Sequence, residues 1–156
     1  MSTCDMCVPN KTLYPEAMST SLALSLVRGV IENLSKVQLE AIFESLPVDI
    51  TFIDSDDTVR YYNRDGKRIF VRTPAVIGRK VQNCHPPKSL PAVNQLLSEF
   101  KSGRRDVAEF WIQVRGRMIF IRYFPVRDRG GKYLGCLEVS EDITEIKKLE
   151  GERRLL

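Results

Sequence analysis

The chain has 156 residues, 43% hydrophobic and 28% charged, the size and balance of one compact core with flanking segments. A formal charge of +4 is mild and the basic residues are dispersed among acids, which sets aside a dedicated nucleic-acid surface. No run of about 18 apolar residues occurs, and the opening Met-Ser-Thr-Cys-Asp has no charged region leading into an apolar stretch. The expectation is therefore a cytoplasmic protein without a membrane span.

Residues 1–14 are polar and carry Cys4-Asp5-Met6-Cys7, so they read as a flexible arm. In the 15–46 segment, Leu22, Leu26, Val27, Val30, Ile31 and Leu34 recur at helical spacing, predicting an amphipathic helix that ends near Asn33. Ser35-Lys36-Val37-Gln38 is a capping box that starts a second helix at Lys36, and Pro47 stops it. Val48 to Ile53 alternates with period two, Asp54-Ser55-Asp56-Asp57 forms a turn, and Thr58 to Tyr62 resumes strand character. Short elements follow from Asn63 to Val81, broken by Gly66, Pro74 and Gly78. A longer helix should run from Pro86-Pro87 through Phe100 to a stop at Gly103. Asp106 to Val114 and Arg117 to Val126 flank the hairpin signal Arg115-Gly116, and a glycine-rich turn leads into a strand over Tyr133 to Val139. Residues 144–156 predict a charged helical tail with a thin apolar stripe at Ile146, Leu149 and Leu155.

Two strands, short helices, a connecting helix and three strands give an α+β layout: a five-stranded antiparallel sheet with helices on one face, preceded by N-terminal helices. The order and the text resemble the PAS (Per-Arnt-Sim) sensor domain. The residues that carry the likeness are Ile42-Phe43-Glu44-Ser45-Leu46-Pro47, Ile53-Asp54 with Tyr62-Asn63, Val76-Ile77-Gly78-Arg79-Lys80, and the exit motif Glu141-Asp142-Ile143-Thr144-Glu145. Asn83 to Ser89 and Asp106 to Trp111 look like a bacterial and archaeal subgroup often joined to hemerythrin-like domains. The resemblance implies a core over 47–143, a small ligand or cofactor held between sheet and helices, homodimerisation through flanking helices, and signalling in trans to a partner protein.

Alternation together with that topology places the cavity lining at Ile50, Phe52, Ile69, Phe70, Ile77, Leu96, Phe120 and Cys136, with Cys84 and His85 at the edge. His85 is the only histidine, and Pro87 puts it and Cys84 just before a helix N-terminus, where free backbone donors favour a thiolate or an anion. On the other reading His85 fixes a corner by bonding the backbone and Cys84 fills space. Three alternatives to a ligand sensor stay open: a zinc or iron–sulfur switch using Cys4 and Cys7 with Cys84 and His85, a haem sensor using His85, and a ligand-free dimerisation adaptor. Catalysis is not expected, because adjacent Cys84 and His85 cannot easily form a nucleophile–base pair and Asp54, Asp56 and Asp57 are explained by their turn. Trp111 shares a strand face with polar neighbours and calls for a cover, either the N-terminal helices or a second subunit.

Overall fold

The computed structural model describes residues 32–155. The chain divides into two compact units, residues 1–41 and 42–156. The expected arm and the amphipathic segment before residue 32 lie outside the described residues. The first described helix, α1, is Lys36–Ser45. Its capping box forms as the sequence predicts: the Gln38 amide donates to Ser35 Oγ at 3.2 Å, and the Ser35 amide donates to Gln38 Oε1 at 2.8 Å.

The sheet contains β1 (Asp49–Asp54), β2 (Val59–Tyr62), β3 (Ala108–Val114), β4 (Arg117–Arg127) and β5 (Tyr133–Asp142). Their spatial order is β2-β1-β5-β4-β3, and all four neighbouring pairs are antiparallel. The β1–β2 turn is built by Asp54, whose Oδ1 accepts the amides of Asp56 and Thr58 at 2.9 and 3.0 Å. The β3–β4 hairpin turns on Arg115 and Gly116, at φ of 51° and 77°. Two successive positive φ values match the right-handed twist of the flanking strands, which explains the two-residue turn. Between β2 and β3 run three 3₁₀ turns (Pro74–Val76, Val81–Cys84, Pro87–Ser89) and helix α2, Leu90–Lys101.

Helix α2 buries Leu97 and Phe100 against Ile53, Val59, Val81 and Cys136, the main core cluster. Its C-terminal end is tied down twice. Arg127 donates through Nη2 to the Phe100 carbonyl, and Lys101 pairs with Asp57 at 2.7 Å. The exit motif also has a physical account: the Thr144 hydroxyl donates to Asp142 Oδ1 at 2.5 Å and accepts the Met118 amide at 2.8 Å, which fastens the end of β5 to the start of β4. β5 runs to Asp142, three residues past the predicted end at Val139. The predicted C-terminal helix is replaced by one 3₁₀ turn, Ile146–Lys148, and Gly151 follows at φ of 63°. Ile146 and Leu149 are exposed, so no buried face offsets the cost of ordering a short helix.

A second cluster fixes the start of β1. Asn63 is fully buried and uses its whole amide: Oδ1 accepts the Ile50 amide at 2.6 Å, and Nδ2 donates to the carbonyls of Phe43 and Val48 at 2.8 and 3.0 Å. Arg68, also buried, donates to the carbonyls of Ile50 and Asn63, both at 2.9 Å, and to Thr51 Oγ1 at 3.0 Å.

Candidate functional site

One face of the sheet, α2 and the segment Val81 to Ser89 border a cavity of about 490 Å³ that is partly open to solvent. The ladders decide which residues reach it. Thr51 pairs with Glu138 and Ile53 with Cys136, while Tyr123 pairs with Glu138 and Ala108 with Tyr123, so these positions share one face. All of them line the cavity, together with Phe110, Val59, Val81 and the α2 residues Ala92, Val93, Leu96 and Leu97. The phenol of Tyr123 lies beneath the ring of Phe110, the two centroids 6.1 Å apart in a stacked arrangement.

Of the predicted lining, Leu96, Cys136 and His85 reach the cavity. Ile50, Phe52 and Phe120 do not, because the strand phase is shifted by one residue: Ile50 pairs with Val139, Phe52 with Leu137, and Phe120 with Glu141 and Trp111, all on the opposite sheet face. That opposite face is itself apolar and half-buried, which is why alternation alone could not choose the phase. Ile69 and Phe70 are half-buried off the cavity, and Ile77 is exposed. Cys84 packs against the core cluster instead of lining the space.

The polar lining was missed by the sequence reading. Arg72 and Glu138 form an ion pair at 3.3 Å inside the cavity wall, with Thr51 and Tyr123 beside them. Burial, reinforced by the Glu138 carboxylate, pushes the Tyr123 phenol well above its ordinary range, so it remains a neutral donor. The same burial pushes the Cys136 thiol up to about 12. Glu138 was available from period two, since it follows Cys136 on the same face. Arg72 lies in an irregular segment, where no periodicity marks it.

His85 has the corner contact that one sequence reading expects and also borders the cavity. Its Nδ1 donates to the Val81 carbonyl at 2.9 Å, fixing the corner, and the residue lines the cavity. A carbonyl partner places a proton on Nδ1, so Nε2 is the ring nitrogen left to address the cavity. Cys84 Sγ is turned to the Lys80 carbonyl at 3.8 Å, so thiol and imidazole address different backbone groups and do not pair. Among the described residues no three His, Cys, Asp or Glu side chains are grouped to hold a metal ion, and Cys4 and Cys7 lie outside them. Trp111 is 64% exposed, and Phe110 and Ile112 on the same edge strand, with Val107 just before it, are exposed as well. No described helix is long and apolar enough to cross a membrane.

A five-stranded antiparallel sheet in this order, closing a cavity with one helix and short 3₁₀ turns, is the architecture of a PAS-type domain. A family model described as PAS domain matches residues 39–144, and the chain belongs to that family. Among solved structures, a C-terminal domain from Streptococcus mutans is 37% identical with a TM-score of 0.70, over 75% of this chain and 91% of that one. The PAS domain of a Colwellia psychrerythraea protein is 17% identical with a TM-score of 0.52, over 70% and 97% of the two chains. The PAS domain of Bordetella pertussis BvgS is 18% identical with a TM-score of 0.52, over 70% and 87%. At that identity the last two speak to the fold alone. No curated protein matches the sequence.

Proposed function

We propose that this chain is a cytoplasmic, non-catalytic sensory module that binds a small ligand in the sheet-and-helix cavity and passes its state to a partner protein in trans. The observation that carries the reading is the cavity itself: about 490 Å³, with a mostly apolar surface into which polar groups are set, the buried Arg72–Glu138 ion pair among them. That is the size and lining expected of a small-molecule site, apolar with a few polar groups that fix orientation. The divergent hydrogen bonds of Cys84 and His85 support the absence of catalysis, since no nucleophile is presented to a base. Homodimerisation is part of the proposal. Trp111 and its ladder partner Phe120 give the outer sheet face an apolar patch suited to the N-terminal helices of a second copy. Asn83 to Ser89 and Asp106 to Trp111 favour the hemerythrin-associated subgroup.

The test is native mass spectrometry of gently purified protein beside its denatured mass, for the wild type and for Ala92→Trp. Ala92 lines the cavity from an exposed helix position, so an indole there fills the space without overpacking the core. The wild type should carry excess mass that Ala92→Trp lacks, in a dimeric envelope. Identical native and denatured masses in both proteins would favour the ligand-free adaptor, and a monomer would remove the dimer.

A further inference from the structure

We infer that the cavity takes an amphiphilic monocarboxylate, a medium-chain aliphatic acid whose head group meets Arg72 and whose hydrocarbon lies along Val93, Leu96 and Leu97. This rests on the ligand-binding reading above and adds the chemical class.

The argument starts from charge. Three guanidinium groups, Arg64, Arg68 and Arg72, and two carboxylates, Asp49 and Glu138, lie along β1 and β5. Arg64 pairs with Asp49 at 3.3 Å and Arg72 with Glu138 at 3.3 Å, which leaves Arg68 as the unmatched charge. Arg68 is 9% exposed and its hydrogen bonds go to neutral acceptors: the Ile50 and Asn63 carbonyls, the Asn63 amide oxygen and the Thr51 hydroxyl. Burial pulls its pKa down, Asp49 opposes that pull, the like charge of Arg72 adds to it, and Glu138 opposes it again. A guanidinium does not shed its proton in a protein, so Arg68 remains a buried cation that shares Asp49 and Glu138 with Arg64 and Arg72.

The donors are unspent as well. Arg72 engages Glu138 through Nη2 alone, at 3.3 and 3.4 Å, and the Nε atoms of both Arg68 and Arg72 are buried without an acceptor. Arg72 lines the cavity, and Thr51 both lines it and touches Arg68. An anion arriving at Arg72 would accept from the free part of a planar fork, beside the Thr51 hydroxyl that Arg68 contacts. A ligand ammonium would add to the positive excess, and a zwitterion would leave it unchanged. The rest of the wall joins the aliphatic side chains of Ile53, Val59, Val81, Val93, Leu96 and Leu97, which suit a hydrocarbon chain, to the charged Glu99, Arg105 and Glu109 at exposed or half-buried positions.

The experiment is calorimetric titration of the full chain with decanoate, decanol and decylamine, each below its aggregation concentration. Decanoate should bind about tenfold to a hundredfold more tightly than decanol, the range set by charge-assisted hydrogen bonds. Octanoate should lose about fourfold per methylene removed. Arg72→Met should abolish the preference for decanoate and leave decanol unchanged, and Glu138→Gln, which frees Arg72 from its competing acceptor, should strengthen decanoate. Equal binding of decanoate and decanol, insensitive to Arg72→Met, would overturn the carboxylate while leaving a ligand cavity in place, and a preference for decylamine would overturn it with reversed sign. If Arg72→Met does not fold, Glu138→Gln decides, since weaker or unchanged decanoate binding relative to decanol overturns the inference. No binding of any of the three overturns the aliphatic acid, and the cavity reading is then judged separately on the native mass comparison.

Discussion

Replacing Asn63 by alanine removes a side chain that satisfies three backbone groups at once. The Ile50 amide loses its partner in a buried setting and the Val48 carbonyl in a half-buried one, whereas the Phe43 carbonyl, on an exposed residue, can turn to water. Stranding a buried backbone group costs about 1–3 kcal/mol, so the Ile50 amide sets the scale of the loss and the Val48 carbonyl adds to it. Set against a total stability of about 5–15 kcal/mol for a domain of this kind, that is a large fraction. Urea unfolding at equilibrium should show the midpoint moving sharply down with an unchanged slope. Asn63→Asp keeps the acceptor for the Ile50 amide but turns a carboxylate oxygen on the Phe43 and Val48 carbonyls, so it should also be clearly less stable than wild type. A loss below about 1 kcal/mol for Asn63→Ala would refute the reasoning, because it would mean that water replaces the amide at no net cost.

At Gly135 in β5, an added Cβ would sit 2.0 Å from the Ile53 carbonyl oxygen and 2.7 Å from the Phe52 ring. Gly135→Ala should therefore lower the melting temperature by more than about 10 °C, or prevent folding, because the opposing atom belongs to the backbone of the neighbouring central strand. A melting temperature within about 3 °C of wild type would contradict that packing. Cys136, its thiol pushed up to about 12 by burial, should resist thiol reagents at neutral pH in a Cys4→Ser, Cys7→Ser background until urea unfolds the domain, with Cys84 labelling first. Equal labelling rates for the two thiols in the folded protein would count against its burial. The hydroxyl and amide of Thr144, and then Arg117, hold the Asp142 carboxyl below its ordinary value. A depressed carboxyl contributes stability above its unfolded pKa, about 3.9, and loses it as pH falls through the lower folded value. The stability gap between wild type and Asp142→Asn should accordingly narrow as pH drops below about 4, and a gap constant down to pH 2 would remove Asp142 from the acid limb.

Local chemistry was legible wherever a few neighbouring residues decide the outcome. The capping box at Ser35 and Gln38, the Asp54 turn, the Arg115-Gly116 hairpin and the stop at Gly103 each depend on side chains or φ values within about five positions. Together with the order of elements they were enough to give the α+β layout and the resemblance to a PAS domain. The site was legible only in part. Leu96, His85 and Cys136 line the cavity, but in β1 alternation favours the more apolar set Ile50 and Phe52 whereas the set with Thr51 and Ile53 turns inward, and β4 is apolar on both faces, so period two cannot choose there. Register with β5 made that choice, through Thr51 against Glu138 and Ile53 against Cys136. Tertiary structure alone brought Arg68 and Arg72, from an irregular segment, to Thr51 and Glu138 on the sheet. The excess charge behind the cavity follows from that long-range pairing, and charge balance in a buried cluster depends on which groups meet in space, a property that composition and spacing do not carry.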